Sequence, residues 1–527
     1  MKQGLLGAIG TDKPAQTYPE PTSNCDICNW STRCDKQRRD DDHLCLVAGI
    51  TSMQIAELKD HGVTTATALA ELPLPLQWKP ERGSKETLTR VREQARIQLE
   101  SRASGELRYE LLAPVAGFGL NCLPEPCEGD IFLDFEGDSF VGQHGLEYLL
   151  GFHFREKGEP QYRGLWALDR AGEKAAFETF IDFVLERRKV FPQLHVYHYG
   201  GYEPGALKRL MGRYGTREDD LDSLLRGLVF VDLLSVVRHS LRAGVESYSI
   251  KKLEPLYGYV RDASLPDANL ALNRLQVSLE LNDAAGILPE DKQTVEVYNR
   301  DDCVSTEALR DWLEAERTKL LARGIEVTRP EPGESGPSEG LSEWLERITP
   351  LIEQLTADVP VDPEERTAEQ HARWLLANLL EWHRREEKAT WWEYFRLSDL
   401  SADELIDERA GLAGLTFLET VGGTAKCPID RYSFPVQEAD IRAGKGLRAQ
   451  GGLTLGTVED ISREQRTIDI KKASAMADEH PVAVFVHEHV PSKPMQEALV
   501  RLATHVCEHG MDEGETYQAA RDMLMRV

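Results

Sequence analysis

Two carboxylates lie close together in the segment Ile-Phe-Leu-Asp-Phe-Glu-Gly-Asp, at residues 131–138. Alternate residues of a β-strand point to the same face, so Asp134 and Glu136 leave such a strand together. Two like charges about 4 Å apart repel by roughly 4 kcal/mol at an effective dielectric of 20. A divalent cation between the carboxylates would remove that repulsion. Taken alone, however, Asp-x-Glu also suits a strand end whose acids face solvent.

A second motif, Tyr-Asn-Arg-Asp-Asp-Cys, follows at residues 298–303. Tyr298 and Asp302 are four positions apart, so they share one face of a helix. For the neighbouring acids Asp301 and Asp138, the pattern favours a solvated or supporting role. The two motifs together indicate a metal-binding acidic site much more specifically than either one does.

Together, these motifs resemble the first and last motifs of the DEDD exonucleases, in the subgroup that carries a tyrosine. The resemblance implies a metal-dependent hydrolase that cleaves DNA in the 3′→5′ direction with two Mg²⁺ or Mn²⁺ ions. It also implies roles for the individual residues. Asp134 would bridge the two ions, Glu136 and Asp302 would complete their ligands, and Tyr298 would orient the attacking water.

The middle acid of that family is an aspartate that follows a strand and opens a helix. In the segment His-Val-Tyr-His-Tyr-Gly-Gly-Tyr-Glu, the position and the residues that follow align Glu203 with this aspartate. Glutamate is one methylene longer, so this chain departs from the family pattern. The resemblance still implies that Glu203 would hold the second ion, directly or through water. Asp232, in Val-Phe-Val-Asp-Leu, is the alternative. We prefer Glu203, because an Asp-Leu after a strand is a separate structural feature of these folds, and residues 249–253 resemble the helix that follows it.

The elements around the motifs alternate between strands and helices. Apolar runs predict strands at 131–135, 148–154, 162–167, 194–199 and 229–232, and helical periodicity predicts helices at 173–188, from 204, and at 288–323. This order predicts an α/β fold in which a mixed sheet is flanked by helices. The resemblance of the motifs implies that this sheet is ribonuclease-H-like.

Three cysteines near the start, Cys25, Cys28 and Cys34, have the spacing of metal ligands. They could bind zinc with a fourth ligand such as His43 or Cys45, or hold an iron–sulfur cluster, or remain free thiols. Their segment resembles the tail of a RecB-like nuclease domain. In that class three such cysteines join a distant upstream cysteine around a 4Fe–4S cluster, and that upstream ligand would precede Met1.

The order of parts resembles bacterial RecB-like nucleases fused to a YprB-type ribonuclease-H-like domain and a superfamily 1 helicase. The resemblance implies a RecB-like remnant at 1–45, a helix–hairpin–helix-like region at 46–105, the exonuclease domain at 125–323 and a linker at 324–343. It further implies a helical region at 344–420, a β-barrel-like region at 421–490 and a helical lead-in to an absent helicase at 491–527. Since the chain lacks a Gly-x-x-x-x-Gly-Lys-Ser/Thr loop, we expect no ATPase activity.

Composition limits the partners and the compartment. The 527 residues carry a net charge of −27, which opposes sequence-blind binding to DNA but allows a local basic groove. No apolar run is long enough to span a membrane and no export signal is visible, so we expect a cytoplasmic protein. Besides the exonuclease, two functions remain open. One is a non-catalytic nucleic-acid-binding or scaffolding module that serves a helicase partner, and the other is a zinc-binding interaction protein.

Overall fold

The computed structural model describes residues 18–22, 25, 28–78, 80, 85–331, 339–360, 365–487, 492–512 and 515–526. Residues 1–17 of the predicted RecB-like remnant and residues 332–338 of the predicted linker lie outside the described residues. The chain divides into two compact units, residues 1–79 with 85–335, and residues 80–84 with 336–527.

The first unit is organised around a mixed five-stranded sheet. Its strands are β2 (Ile131–Asp138), β3 (Leu146–Glu156), β4 (Glu159–Trp166), β5 (Val196–His198) and β6 (Phe230–Asp232). In the order β4-β3-β2-β5-β6, strand β3 runs antiparallel to β2 and β4, while β5 and β6 run parallel to β2. Phe132 of β2 and Phe152 of β3 are buried, as expected for a sheet covered by helices. The predicted mixed α/β fold is therefore confirmed.

Seven helices accompany this sheet. They are α5 (Arg170–Val190), α6 (Tyr202–Tyr214), α7 (Glu218–Arg226), α8 (Leu233–Ser240), α9 (Ile250–Tyr257), α10 (Leu265–Glu280) and α11 (Pro289–Ala322). Helix α11 packs against β2 and β3. Its residues Leu309 and Leu313 belong to the same buried cluster as Phe132. This packing holds the second acidic motif over the strand that carries the first.

The N-terminal part of this unit is helical. It contains α1 (Ser31–Asp40), α2 (Ser52–Asp60), α3 (Ala66–Ala70) and α4 (Lys85–Ser104), followed by the short pair of β1 (Tyr109–Leu111) with β7 (Leu241–Ala243). The sequence predicts only short helices here, whereas α4 has 20 residues. Gln94 and Gln98 lie on its buried face among Val91 and Ala95, and these polar residues obscure the helical period.

The second unit combines helices with an antiparallel sheet. Its helices are α12 (Glu339–Thr356), α13 (Ala368–Asp399), α14 (Ala402–Leu405), α15 (Lys493–His509) and α16 (Gln518–Met525). Its strands are β8 (Gly411–Ala413), β9 (Thr416–Thr424), β10 (Cys427–Ser433), β11 (Gly446–Ala449), β12 (Thr454–Ser462), β13 (Thr467–Lys472) and β14 (Ala483–Val486). They pair in the order β8-β14-β11-β12-β13-β10-β9. The region predicted to be β-barrel-like therefore belongs to a seven-stranded antiparallel sheet, in which β8 and β9 are the end strands. Closure of this sheet into a barrel stays a prediction.

No helix within the described ranges is both long and apolar enough to cross a membrane.

Candidate metal centre

Strand β2 and helix α11 bring three carboxylates together. Potential ligand oxygens of Asp134, Glu136 and Asp302 lie within 4.8 Å of one another, and across the described ranges no other trio of His, Cys, Asp or Glu side chains meets that distance. Asp134 and Glu136 share a face of β2, as their spacing predicts, and the pairing of β2 with β3 shifts register immediately after Glu136. Asp302 is buried, whereas the other two are only partly buried.

The electrostatics of this group favour a bound cation. Desolvation by burial, together with Asp302, raises the pKa of Glu136 to about 8. Desolvation, and then Asp302 and Glu136, also raise the pKa of Asp134 well above its usual value. Each carboxyl therefore makes ionisation of the next more costly, which a divalent ion would reverse.

Asn299 holds Asp134 in place. Its Nδ2 donates to Asp134 Oδ2 at 2.8 Å, and its Oδ1 accepts a hydrogen bond of 2.8 Å from the Tyr162 hydroxyl. Asn299 is fully buried, and it fits because the facing residue of β3 is Gly151, where a Cβ would collide with its Oδ1. Sequence reasoning missed Asn299, although it lies inside the Tyr-x-x-x-Asp motif.

Both oxygens of Asp302 are paired with cations. Lys251 Nζ lies 3.1 Å from Oδ2, and Arg261 Nη2 lies 2.6 Å from Oδ1. Arg261 also pairs with the buried Glu254 at 2.6 Å. These contacts, too, were missed from the sequence, because α9 and the segment after it are far from Asp302 along the chain.

Tyr298 lies beside the same cations. Lys251 Nζ is 4.8 Å from the centre of its ring, and the Arg261 guanidinium carbon is 5.7 Å away. Burial, followed by the charge of Asp302, raises the pKa of Tyr298 to about 12. The phenol is therefore protonated at neutral pH and retains a hydroxyl that can donate a hydrogen bond.

Glu203 lies in the first turn of α6 and is 4% exposed. It falls outside the 4.8 Å group, but Asp302 is among the charges that act on it. Desolvation, with Asp232 and Asp302, raises its pKa to about 8. Its Oε2 has no hydrogen-bond partner among the described residues, and His198 Nδ1 is 3.7 Å away. An acceptor of this kind could serve an ion or a bound water.

Asp232 is engaged in the backbone instead. Its Oδ1 accepts hydrogen bonds of 2.8 Å from Leu234 N and from Gly200 N. The first bond caps the start of α8, and the second fixes the position of Gly200 in the loop before α6. These contacts support Glu203 over Asp232 as the middle acid, which stays a proposal.

The two adjacent acids have local partners. Asp301 accepts hydrogen bonds from the Tyr259 hydroxyl at 3.0 Å and from Ala263 N at 2.9 Å. Asp138 Oδ1 accepts from Phe140 N at 2.8 Å. Both therefore contribute to local structure, in keeping with the supporting roles expected from the sequence.

The N-terminal cysteines do not form a comparable group. Cys25, Cys28 and Cys34 are all described, but their thiols are not within 4.8 Å of one another as a trio. Cys25 Sγ instead accepts a bond from Thr22 N at 3.4 Å. His43, named as a fourth ligand, has its Nε2 3.1 Å from Lys59 Nζ. A zinc or iron–sulfur site here stays a prediction.

Comparison with known families agrees with the architecture of the first unit. Residues 131–314 match the family model of the RNase H superfamily, and this segment contains all the acidic residues discussed above. No curated protein and no solved structure matches the chain. The match is at the level of the superfamily, so the RecB-like and YprB-type relationships stay predictions.

Proposed function

We propose that the first unit is a metal-dependent nuclease that hydrolyses phosphodiester bonds in nucleic acid. One observation carries this proposal, the convergence of Asp134, Glu136 and Asp302 within 4.8 Å. The match of this segment to the RNase H superfamily supports it, because enzymes of that fold are generally hydrolytic nucleases. The narrower assignment to a 3′→5′ exonuclease acting on DNA ends during repair or processing comes from the motif resemblance.

The residues fit a hard divalent cation such as Mg²⁺ or Mn²⁺. Their potential ligands are carboxylate oxygens, which these ions prefer. Asp134 and Glu136 are partly exposed, so an ion and a phosphate can reach them. A bound ion would supply Lewis acidity and a water of lowered pKa. The presence of two ions, as the resemblance implies, stays a prediction.

Three further side chains would have separate roles in orienting a ligand and positioning water. Asn299 keeps Asp134 oriented through its 2.8 Å hydrogen bond. Glu203 offers an unpaired buried oxygen that could hold water or an ion. Tyr298 keeps its hydroxyl proton and can therefore position the attacking water.

A non-catalytic binding module is the second candidate. It is favoured by the two ion pairs that already occupy Asp302 and by glutamate at the position where the related enzymes have aspartate. Such a module would bind nucleic acid for a helicase partner without turnover.

Cleavage of end-labelled single strands separates the two candidates. DNA and RNA oligonucleotides carrying a 5′ label would be incubated with Mg²⁺, Mn²⁺ or EDTA. We expect metal-dependent shortening from the 3′ end, and loss of this activity in Asp134→Ala. Glu280→Gln, which removes an exposed acid of α10, is the matched control and should keep full activity. Tight binding without cleavage would support the scaffold, and equal activity in Asp134→Ala would exclude these carboxylates as the site.

A further inference from the structure

Lys251 is placed at the edge of the carboxylate group and faces it. Its ammonium lies 3.1 Å from Asp302 Oδ2 and 4.8 Å from the centre of the Tyr298 ring. Its side chain is 29% exposed, so it remains accessible to solvent. Asp134 is also among the charges that act on it. Lys251 is therefore a cation of the site itself.

The positive charge of the other cation, Arg261, is already neutralised by a carboxylate outside the site, that of Glu254. Its guanidinium forms two hydrogen bonds with Glu254, at 3.1 Å from Nε and 2.6 Å from Nη2, in addition to its contact with Asp302. Its side chain is only 7% exposed. Arg261 therefore anchors Asp302 to α9, and the charge of Lys251 remains for the acidic group.

A lysine in this position competes with a metal ion. Two-metal sites place their ions about 3.5–4 Å apart, so both depend on carboxylates at the same small centre. Here Asp302 Oδ2 already contacts the Lys251 ammonium at 3.1 Å. A second metal ion bound to that oxygen would lie close to the ammonium and be repelled by it. An ammonium can also contact a phosphate oxygen as a point charge, as lysines do in other phosphate sites.

We propose that Lys251 replaces the second metal ion, so that Asp134 and Glu136 hold a single divalent ion and Lys251 meets the phosphate beside Asp302. This inference rests on the proposed metal-dependent function and narrows it. The site would use one divalent metal ion together with the ammonium group of Lys251.

Counting bound Mn²⁺ tests the inference without any substrate. The full chain would be titrated with Mn²⁺ and the free ion followed by electron paramagnetic resonance, with Glu136→Gln identifying the binding that belongs to this site. We expect one ion in the wild type and two in Lys251→Met, because the methionine leaves Asp302 Oδ2 open. Lys251→Arg keeps the charge and should still bind one ion. Lys252→Met removes the same charge from the exposed neighbouring position of α9 and is the matched control, also with one ion.

The outcomes separate this inference from the proposed function. Two ions in the wild type, or one in a folded Lys251→Met protein, would overturn the role of Lys251 and leave the nuclease proposal intact. The absence of any Glu136-dependent ion in the wild type would overturn both. Circular dichroism of each variant shows whether it is folded. If Lys251→Met is not folded, Lys251→Gln serves as the charge-removing variant, with two ions expected and one ion overturning the inference.

Discussion

Asn299 Nδ2 donates hydrogen bonds to two oxygens of Asp134, to Oδ2 at 2.8 Å and to the backbone carbonyl at 3.1 Å. The amide oxygen of Asn299 is fixed in turn by the Tyr162 hydroxyl at 2.8 Å. The chain of contacts from β4 through α11 to β2 therefore sets the orientation of the first carboxylate. Partners of this kind often determine the strength of a metal site as much as the ligands themselves.

Replacement of Asn299 by alanine should weaken the metal site. Asp134 loses the donor that orients it, and we expect Mn²⁺ affinity to fall roughly 10–100-fold, the usual effect of removing a partner of a ligand. Isothermal titration measures this directly. Tyr162→Phe removes only the outer hydrogen bond of the same chain and should have a smaller effect in the same direction. Unchanged affinity in Asn299→Ala would show that Asp134 needs no such support.

Gly151 leaves the space in which Asn299 lies. A Cβ at this position of β3 would collide with Asn299 Oδ1 and would lie 2.8 Å from the Tyr162 hydroxyl. We expect Gly151→Ala to lower the free energy of unfolding by roughly 1–3 kcal/mol, as overpacking does, and to weaken Mn²⁺ binding as well. Gly212→Ala is the control, because a Cβ on that residue of α6 has no heavy atom within 4 Å. Equal stability of the two variants in urea denaturation would contradict this account.

The raised pKa of Glu136 predicts how the stability of the metal-free protein depends on pH. Its usual value is 4.5 and its folded value is about 8, chiefly because of desolvation and then Asp302. Between these values only the folded chain retains the proton, so the free energy of unfolding falls as pH rises, by about 1.4 kcal/mol per pH unit for each such proton. Denaturation in EDTA from pH 4.5 to 8 should show this slope.

Two controls identify the source of that slope. Glu136→Gln removes one titrating group and should make the dependence shallower. Saturating Mn²⁺ should reverse the trend, because metal binding requires ionised carboxylates and becomes stronger as pH rises. A metal-free protein whose stability rises through the same window would show that these carboxyls ionise freely in the fold.

The mixed α/β fold and the side-by-side placement of the acids within each motif could be predicted because their signals are local. Asp134 and Glu136 share a strand face, and Tyr298 and Asp302 share a helix face, so short-range periodicity is enough to pair them. The contacts that complete the site are not local. Lys251 reaches Asp302 across 51 residues, and no pattern in the sequence indicates that ion pair.

Helix α4 shows a different reason for failure. Gln94 and Gln98 are both buried, at positions where an apolar residue is expected. Hydrogen bonds make this possible, because Gln94 Nε2 donates to Gln98 Oε1 at 3.0 Å and to Ala243 O at 2.8 Å. Their polarity interrupts the hydrophobic period although the helix is continuous. Tertiary hydrogen bonding, which the sequence does not display, decides the outcome there.

Isosteric amides at Glu203 and Asp232 test which residue is the middle acid. Asp232→Asn keeps the oxygen that accepts from Leu234 N and Gly200 N, so the cap of α8 should survive and Mn²⁺ affinity should stay within about twofold. Glu203→Gln removes the ability of this buried side chain to ionise and bind an ion, and it should lower both Mn²⁺ affinity and turnover.

Stability separates these two variants further. Since burial raises the pKa of Glu203 to about 8, ionised Glu203 is costly in the metal-free protein. Glu203→Gln should therefore raise the free energy of unfolding in EDTA at pH 9, while it weakens metal binding at the same pH. Asp232→Asn should change neither quantity by much, because its oxygen serves the backbone. If Asp232→Asn abolishes Mn²⁺ binding while Glu203→Gln retains it, Asp232 is the ligand and the assignment of Glu203 is wrong.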